Sequence, residues 1–139
     1  MRVTDRSVED HINSLPEGVR EDFKAIDDLT ADVFSGELRV LWEGKLWGGT
    51  DQEIIGYGDF TYENSNRTVE WFKVGLAAQK NHLSLYVNAV EDGEYLSRTY
   101  GDRLGKVKVG AASIGFKDLS ALDLGELRAM LDHARRLME

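Results

Sequence analysis

Cysteine is missing from this chain. Disulfides, thiolate-held metals and cysteine nucleophiles are therefore excluded. Proline occurs once, as Pro16, and no segment reads as a linker or low-complexity tract. Positive charge is in deficit: 17 Lys and Arg stand against 25 Asp and Glu, for a net charge of −8. That balance repels nucleic-acid phosphates and anionic membranes and favours cations or basic partners. Neither nucleic acid nor membrane is an expected partner. No apolar run approaches the roughly 20 residues that a bilayer-spanning helix needs. The opening "MRVTDRSVED" lacks the apolar stretch of a signal peptide. The cytoplasm is the expected location.

What is present suffices for one core. At 139 residues the chain is expected to make a single domain, 1–139. A chain of this length buries about two-thirds of its unfolded surface. Ser7 followed by Asp10 predicts a capped short helix with Val8, Ile12 and Leu15 inward. Pro16 is placed at the first position of a second helix, where its missing N–H costs nothing. Val19, Phe23, Ile26, Leu29 and Val33 recur at three- and four-residue steps, and Gly36 closes that helix. From Glu37 the period changes. "ELRVLW", "QEIIGYGDFTY", "RTVEWFKVGLAAQ" and "HLSLYVNAV" are rich in β-branched and aromatic residues. Turns are expected at Gly48–Asp51, Asn64–Asn66 and Lys80-Asn81. Short links imply an antiparallel meander. A helical turn at Tyr95–Tyr100 and a strand at Ala112–Phe116 follow. The last helix is capped by Asp123, with Leu124, Leu127, Leu131, Ala134 and Met138 as its stripe. The fold class is α+β: a sheet of about five strands, with two N-terminal helices and a C-terminal helix.

Several motifs invite chemistry and fail on spacing. "LGKVKVGAASIGF" (104–116) is glycine-rich and carries two lysines. A phosphate loop needs four residues between its first glycine and its Gly-Lys pair, with Ser or Thr next. Here three residues separate Gly101 from Gly105, and Val107 follows Lys106. The stretch reads as a helix end feeding an edge strand. Gly56-Tyr57-Gly58 opens like a dinucleotide fingerprint but lies within a strand and lacks the third glycine. It reads as a bend or a point of close approach. His11, His82 and His133 sit on different elements without metal-ligand spacing. His82 and Ser84 share a strand face but stand about 6–7 Å apart, too far for a nucleophile–base hydrogen bond. No enzyme is expected.

Two features remain as candidate sites. Glu17, Glu21, Asp28 and Asp32 fall within about 60° of one another on the second helix, opposite its apolar stripe. Oxygen ligands on an open face suit hard cations, held weakly and completed by water. The aromatics Trp42, Trp47, Tyr57, Phe60, Tyr62, Trp71 and Phe72 concentrate in the sheet and could line an apolar pocket. Lys73, Lys80, Lys106 and Lys108 are the candidate polar contacts for a ligand there.

"VEDHINSLPEGVREDFKAI", "VGLAAQKNHLSLYV" and "YLSRTYGDRLGKVKVGAASIGFKDLSALDLGELRAML" resemble the YdhG-like family of bacterial domains, from about Val8 to Leu137. The resemblance implies a small cytosolic α+β domain. It also implies a function: a frataxin-like iron chaperone that delivers iron to iron–sulfur or haem assembly. Iron-receiving proteins would be its partners, and no cofactor is expected to bind tightly. Where many relatives read G-K-x-S, this chain has Gly110-Ala111-Ala112-Ser113, so one lysine of that pattern is missing. The alternative is a small-molecule binding domain with an aromatic pocket against the sheet.

Overall fold

The computed structural model describes residues 1–46 and 50–139. The chain runs β1 (Arg2–Val3), α1 (Val8–Asn13), α2 (Glu17–Val33), β2 (Arg39–Leu46), β3 (Thr50–Asn64), β4 (Arg67–Ala78) and β5 (Leu83–Val87). It continues through β6 (Val90–Glu91), β7 (Glu94–Tyr95), α3 (Leu96–Tyr100), β8 (Lys108–Val109), β9 (Ser113–Phe116) and α4 (Leu124–Leu137). Seven strands form one antiparallel sheet in the order β1-β2-β3-β4-β5-β9-β8, and β6 pairs with β7 in a separate hairpin. The class is α+β, and the sheet is larger than the expected five strands. The additions β1 and β8 are two residues long. Such short strands carry no alternation to read; their neighbours in the sheet create them. Ser113–Phe116 is also not the edge, because β8 covers it.

Local chemistry explains most boundaries. Ser7 accepts from the Asp10 N–H at the start of α1, and Asp123 accepts from the Glu126 N–H at the start of α4. Pro16 stands one position earlier than expected, as the residue before α2, and its carbonyl accepts from Val19 and Arg20. Gly36 leaves α2 at φ +88, where glycine is unstrained. Ser65 and Asn66, at φ 50 and 66, turn β3 into β4 as a tight two-residue hairpin. Of the turn expected at Gly48–Asp51, Gly48 and Gly49 lie outside the described residues, as does Trp47. Thr50 and Asp51 already belong to β3.

The helices cover one face of the sheet. Phe23, Ile26, Leu127 and Leu131 pack there with Leu41, Tyr57, Leu76, Leu85 and Ile114 in one buried cluster. Val19 is half-buried at its margin, and Leu124 is exposed. A second, smaller cluster of Trp42, Ile54, Phe72 and Ala77 lies apart from the first, with Trp71 and Tyr86 packed against it. It occupies the sheet face away from the helices.

Candidate functional site

The two faces separate because β5 alternates. Leu83, Leu85 and Val87 enter the helix-side core, while Ser84 and Tyr86 point the other way. Cross-strand pairing then aligns side chains in rows on the open face. Ala77 pairs with Ser84, Ser84 with Gly115, and Gly115 with Lys108. One row over, Gly75 pairs with Tyr86 and Tyr86 with Ser113. The open face thus passes from aromatic at β2–β4, through hydroxyls and amides, to lysine at the β8 edge.

Glycines make the aromatic end possible. A Cβ on Gly56 would lie 2.6 Å from the Trp42 indole nitrogen, and one on Gly75 would lie 2.5 Å from the Phe72 ring. Ring atoms therefore lie directly over bare backbone. Phe72 stacks on Trp71 at 4.5 Å and meets Trp42 edge-on at 5.7 Å. Phe72 reaches this face through a break in alternation, since Val74 on the same strand enters the opposite core. The break sits beside Gly58, whose φ is +71. A Cβ there would meet Glu37 Oε1 and Lys73 Cδ, each at 2.8 Å. The two flanking glycines of Gly56-Tyr57-Gly58 are thus a close approach and a bend, as the sequence predicts.

At the polar end is a cleft of about 660 Å³. Lys106, Lys108 and Lys117 line it together with the hydroxyls of Ser84, Tyr86 and Ser113. No carboxylate lines it, and among the described residues none of the three lysines forms a salt bridge. The Gln79 amide organises its floor. Gln79 Oε1 accepts from Ser84 at 2.5 Å, and Gln79 Nε2 donates to Tyr86 at 3.1 Å and to Gln52 at 3.2 Å. Burial raises the Tyr86 pKa, so its hydroxyl keeps its proton at neutral pH. The cleft can supply positive charge and O–H groups to an anion. Ser84 donates its hydroxyl to Gln79, not to His82.

The stretch "LGKVKVGAASIGF" forms a strand hairpin here, not a phosphate loop, yet it contributes Lys106, Lys108 and Ser113 to the cleft. Of the other candidate lysines, Lys80 is exposed beside a neighbouring cavity of about 730 Å³. Lys73 is held by Glu37 at 2.6 Å, and Glu37 also meets Arg135 at 3.3 Å. Lys117 carries no signal in the sequence; it follows Phe116, whose pairing with Leu83 brings it to the site.

The acidic stripe is placed as predicted, on the outer face of α2. Glu17, Glu21, Asp28 and Asp32 are all exposed. Lys24 approaches Asp28 at 3.7 Å, and Arg128 on α4 donates to Asp32 at 2.9 Å. Among the described residues, no three His, Asp or Glu side chains are grouped closely enough to hold a metal ion.

Sequence reasoning missed the buried ionic network between helices and sheet. Asp27, 2% exposed, accepts from the Tyr57 hydroxyl at 2.7 Å and from Arg39 Nε at 3.1 Å. Arg39 also donates to Glu9 at 2.9 Å. Burial and the Asp27 charge push the Tyr57 pKa well up. Burial alone would lower that of Arg39, but the hydrogen bonds it donates to Asp27 and Glu9 outweigh burial and raise it. Arg39 lowers the Glu9 pKa in turn. With the buried Asp27 paired to Arg39 and hydrogen-bonded by Tyr57, and Glu9 sharing the same guanidinium, the network clamps α1 and α2 to the sheet. Its one legible signal was Asp27 falling beside Ile26 rather than on the stripe of Asp28 and Asp32.

Comparison with protein-family models, curated proteins and solved structures finds no match to this chain. No helix among the described residues is long and apolar enough to cross a membrane.

Proposed function

We propose that this protein is a non-catalytic cytoplasmic binding protein whose cleft on the open sheet face holds a small anionic molecule. One observation carries this reading: Lys106, Lys108 and Lys117, none of them in a salt bridge among the described residues, line one cleft whose lining holds no carboxylate. Ammonium groups gathered with no carboxylate among them invite an anion, locally against the sign of the net charge. Phosphate and carboxylate are the groups that lysines and hydroxyls recognise. The test is an amide-shift NMR titration with inorganic phosphate and with citrate. Saturable shifts are expected at Lys106–Gly110 and Ser113, with Kd of about 0.1–1 mM. Raising ionic strength should weaken them, because the site is open to solvent. The double substitution Lys106→Glu/Lys108→Glu should abolish them. Unsaturable shifts, or shifts unchanged in the double variant, would sink the proposal.

A second reading is the frataxin-like iron chaperone. Its support is the sequence resemblance together with the exposure of Glu17, Glu21, Asp28 and Asp32 on one helix face. Iron is cargo in this reading, bound at about micromolar strength or weaker. Anaerobic ferrous titration should then broaden the amides of Glu17 and Glu21 first, since Asp28 and Asp32 already have cationic partners. Absence of any ferrous binding would dismiss it.

A further inference from the structure

A separate cavity of about 390 Å³ lies where the β3–β4 hairpin projects past the rest of the sheet. Four aromatic rings line it: Phe60 and Tyr62 from β3, Trp71 from β4 and Tyr95 from β7. We propose that this cavity binds the alkylammonium group of a free small molecule.

The chemistry of the lining carries the inference. Lysine, arginine and carboxylate are all absent from it; besides the rings there are only Asn88 and Ala112. The rings are held in place. Phe60 and Tyr62 lie 6.0 Å apart at 33°. Trp71 is backed by Phe72 at 4.5 Å and by Trp42 at 5.6 Å, so it is fixed from behind. Asn88 Nδ2 donates to the Phe72 carbonyl at 2.8 Å, which fixes the amide and leaves its Oδ1 as an acceptor. The π faces and the Asn88 carbonyl oxygen attract a cation, and the other polar groups of the lining, the tyrosine hydroxyls and the remaining Asn88 N–H, are uncharged. The net charge of −8 favours the same sign of ligand. Tyr62 and Tyr95, 41% and 36% exposed, form an accessible rim. Aromatic side chains this exposed around a cavity bury no apolar core; they are available to a ligand. The volume is at the lower end of the roughly 300–1,000 Å³ typical of small-molecule sites. It suits a compact head group rather than a length of peptide.

The test pairs choline with 3,3-dimethyl-1-butanol, its neutral carbon isostere, in NMR titrations of the Trp71 indole and of the Tyr62 and Tyr95 rings. Choline should produce saturable shifts at all three and bind at least about tenfold more tightly than the isostere. Tyr62→Ala and Tyr95→Ala should each weaken choline binding at least about fivefold with unchanged circular dichroism, since both sit at the rim. Equal binding of the two compounds would reduce the site to a plain apolar hollow and overturn the proposal. So would the absence of saturable shifts. A trimethyl-lysine peptide that binds more than about tenfold tighter than choline would overturn the free-molecule assignment.

Discussion

His11 illustrates how much one buried polar side chain can matter. It is 4% exposed, and neither ring nitrogen has a hydrogen-bond partner among the described residues. Phe23 meets its ring edge-on at 6.1 Å, and Glu53, held by Arg6 at 2.6 Å, stops 3.7 Å from Nδ1. Leaving such a group unsatisfied costs about 1–3 kcal/mol. His11→Leu should therefore raise stability at pH 7 by about 1 kcal/mol, measured by urea unfolding. Burial lowers the His11 pKa; the Glu53 charge works against that shift, and Arg6 adds to it. The sign follows. A folded-state value below the unfolded one means that the unfolded chain binds the proton more readily. Stability should then be complete above about pH 6.5 and fall as pH drops below it, by at most about 1.4 kcal/mol per unit for one proton. The leucine variant should lose that part of the pH dependence. An unchanged slope would show that His11 does not carry it. In the sequence His11 is legible only as a candidate metal ligand, because one-dimensional spacing says nothing about burial without partners.

Elements, in contrast, were mostly legible. The amphipathic stripes of α2 and α4, the caps at Ser7 and Asp123 and the strands β2 to β5 follow from periodicity and side-chain chemistry within a few residues of one another. What escaped was contact between elements. The glycines of β3 and β4 are ambiguous in sequence, since a strand glycine can mark a bulge, a bend or an approaching neighbour. The structure assigns Gly56 and Gly75 to ring packing and Gly58 to a bend. Gly75→Ala should thus force Phe72 and Ile54, whose atoms would lie 2.5 and 2.7 Å from the new Cβ, out of place. A loss of about 1–3 kcal/mol is expected from overpacking, read from the urea midpoint. A neutral result would mean that the aromatic cluster adapts freely. The acidic stripe shows the same limit. Its like-charged pairs four residues apart suggest a repulsion that neutralisation would relieve. At Asp28 and Asp32 the structure offsets it with Lys24 and with Arg128 from another helix.

On the scale of the whole molecule, the fold rests on one large helix-side core, and α4 is its last-added wall. Leu127 is fully buried there, and Leu127→Ala should cost about 2–5 kcal/mol, seen as a cooperative shift of the unfolding transition. The same architecture leaves the opposite face free to hold a lysine cleft at one margin and an aromatic cavity at another. The sequence by itself determined the α+β class, the helices, the main strands and the excess of negative charge. Each depends on neighbours a few positions apart, through hydrogen-bonding periods, caps and composition. Only the tertiary structure decided that Lys106, Lys108 and Lys117 converge beside Ser84, that Lys73 is consumed by Glu37, and that Asp27 is buried between Tyr57 and Arg39. Those placements depend on sheet register and strand order. Both are set by the packing of residues far apart in the chain, which no local pattern encodes.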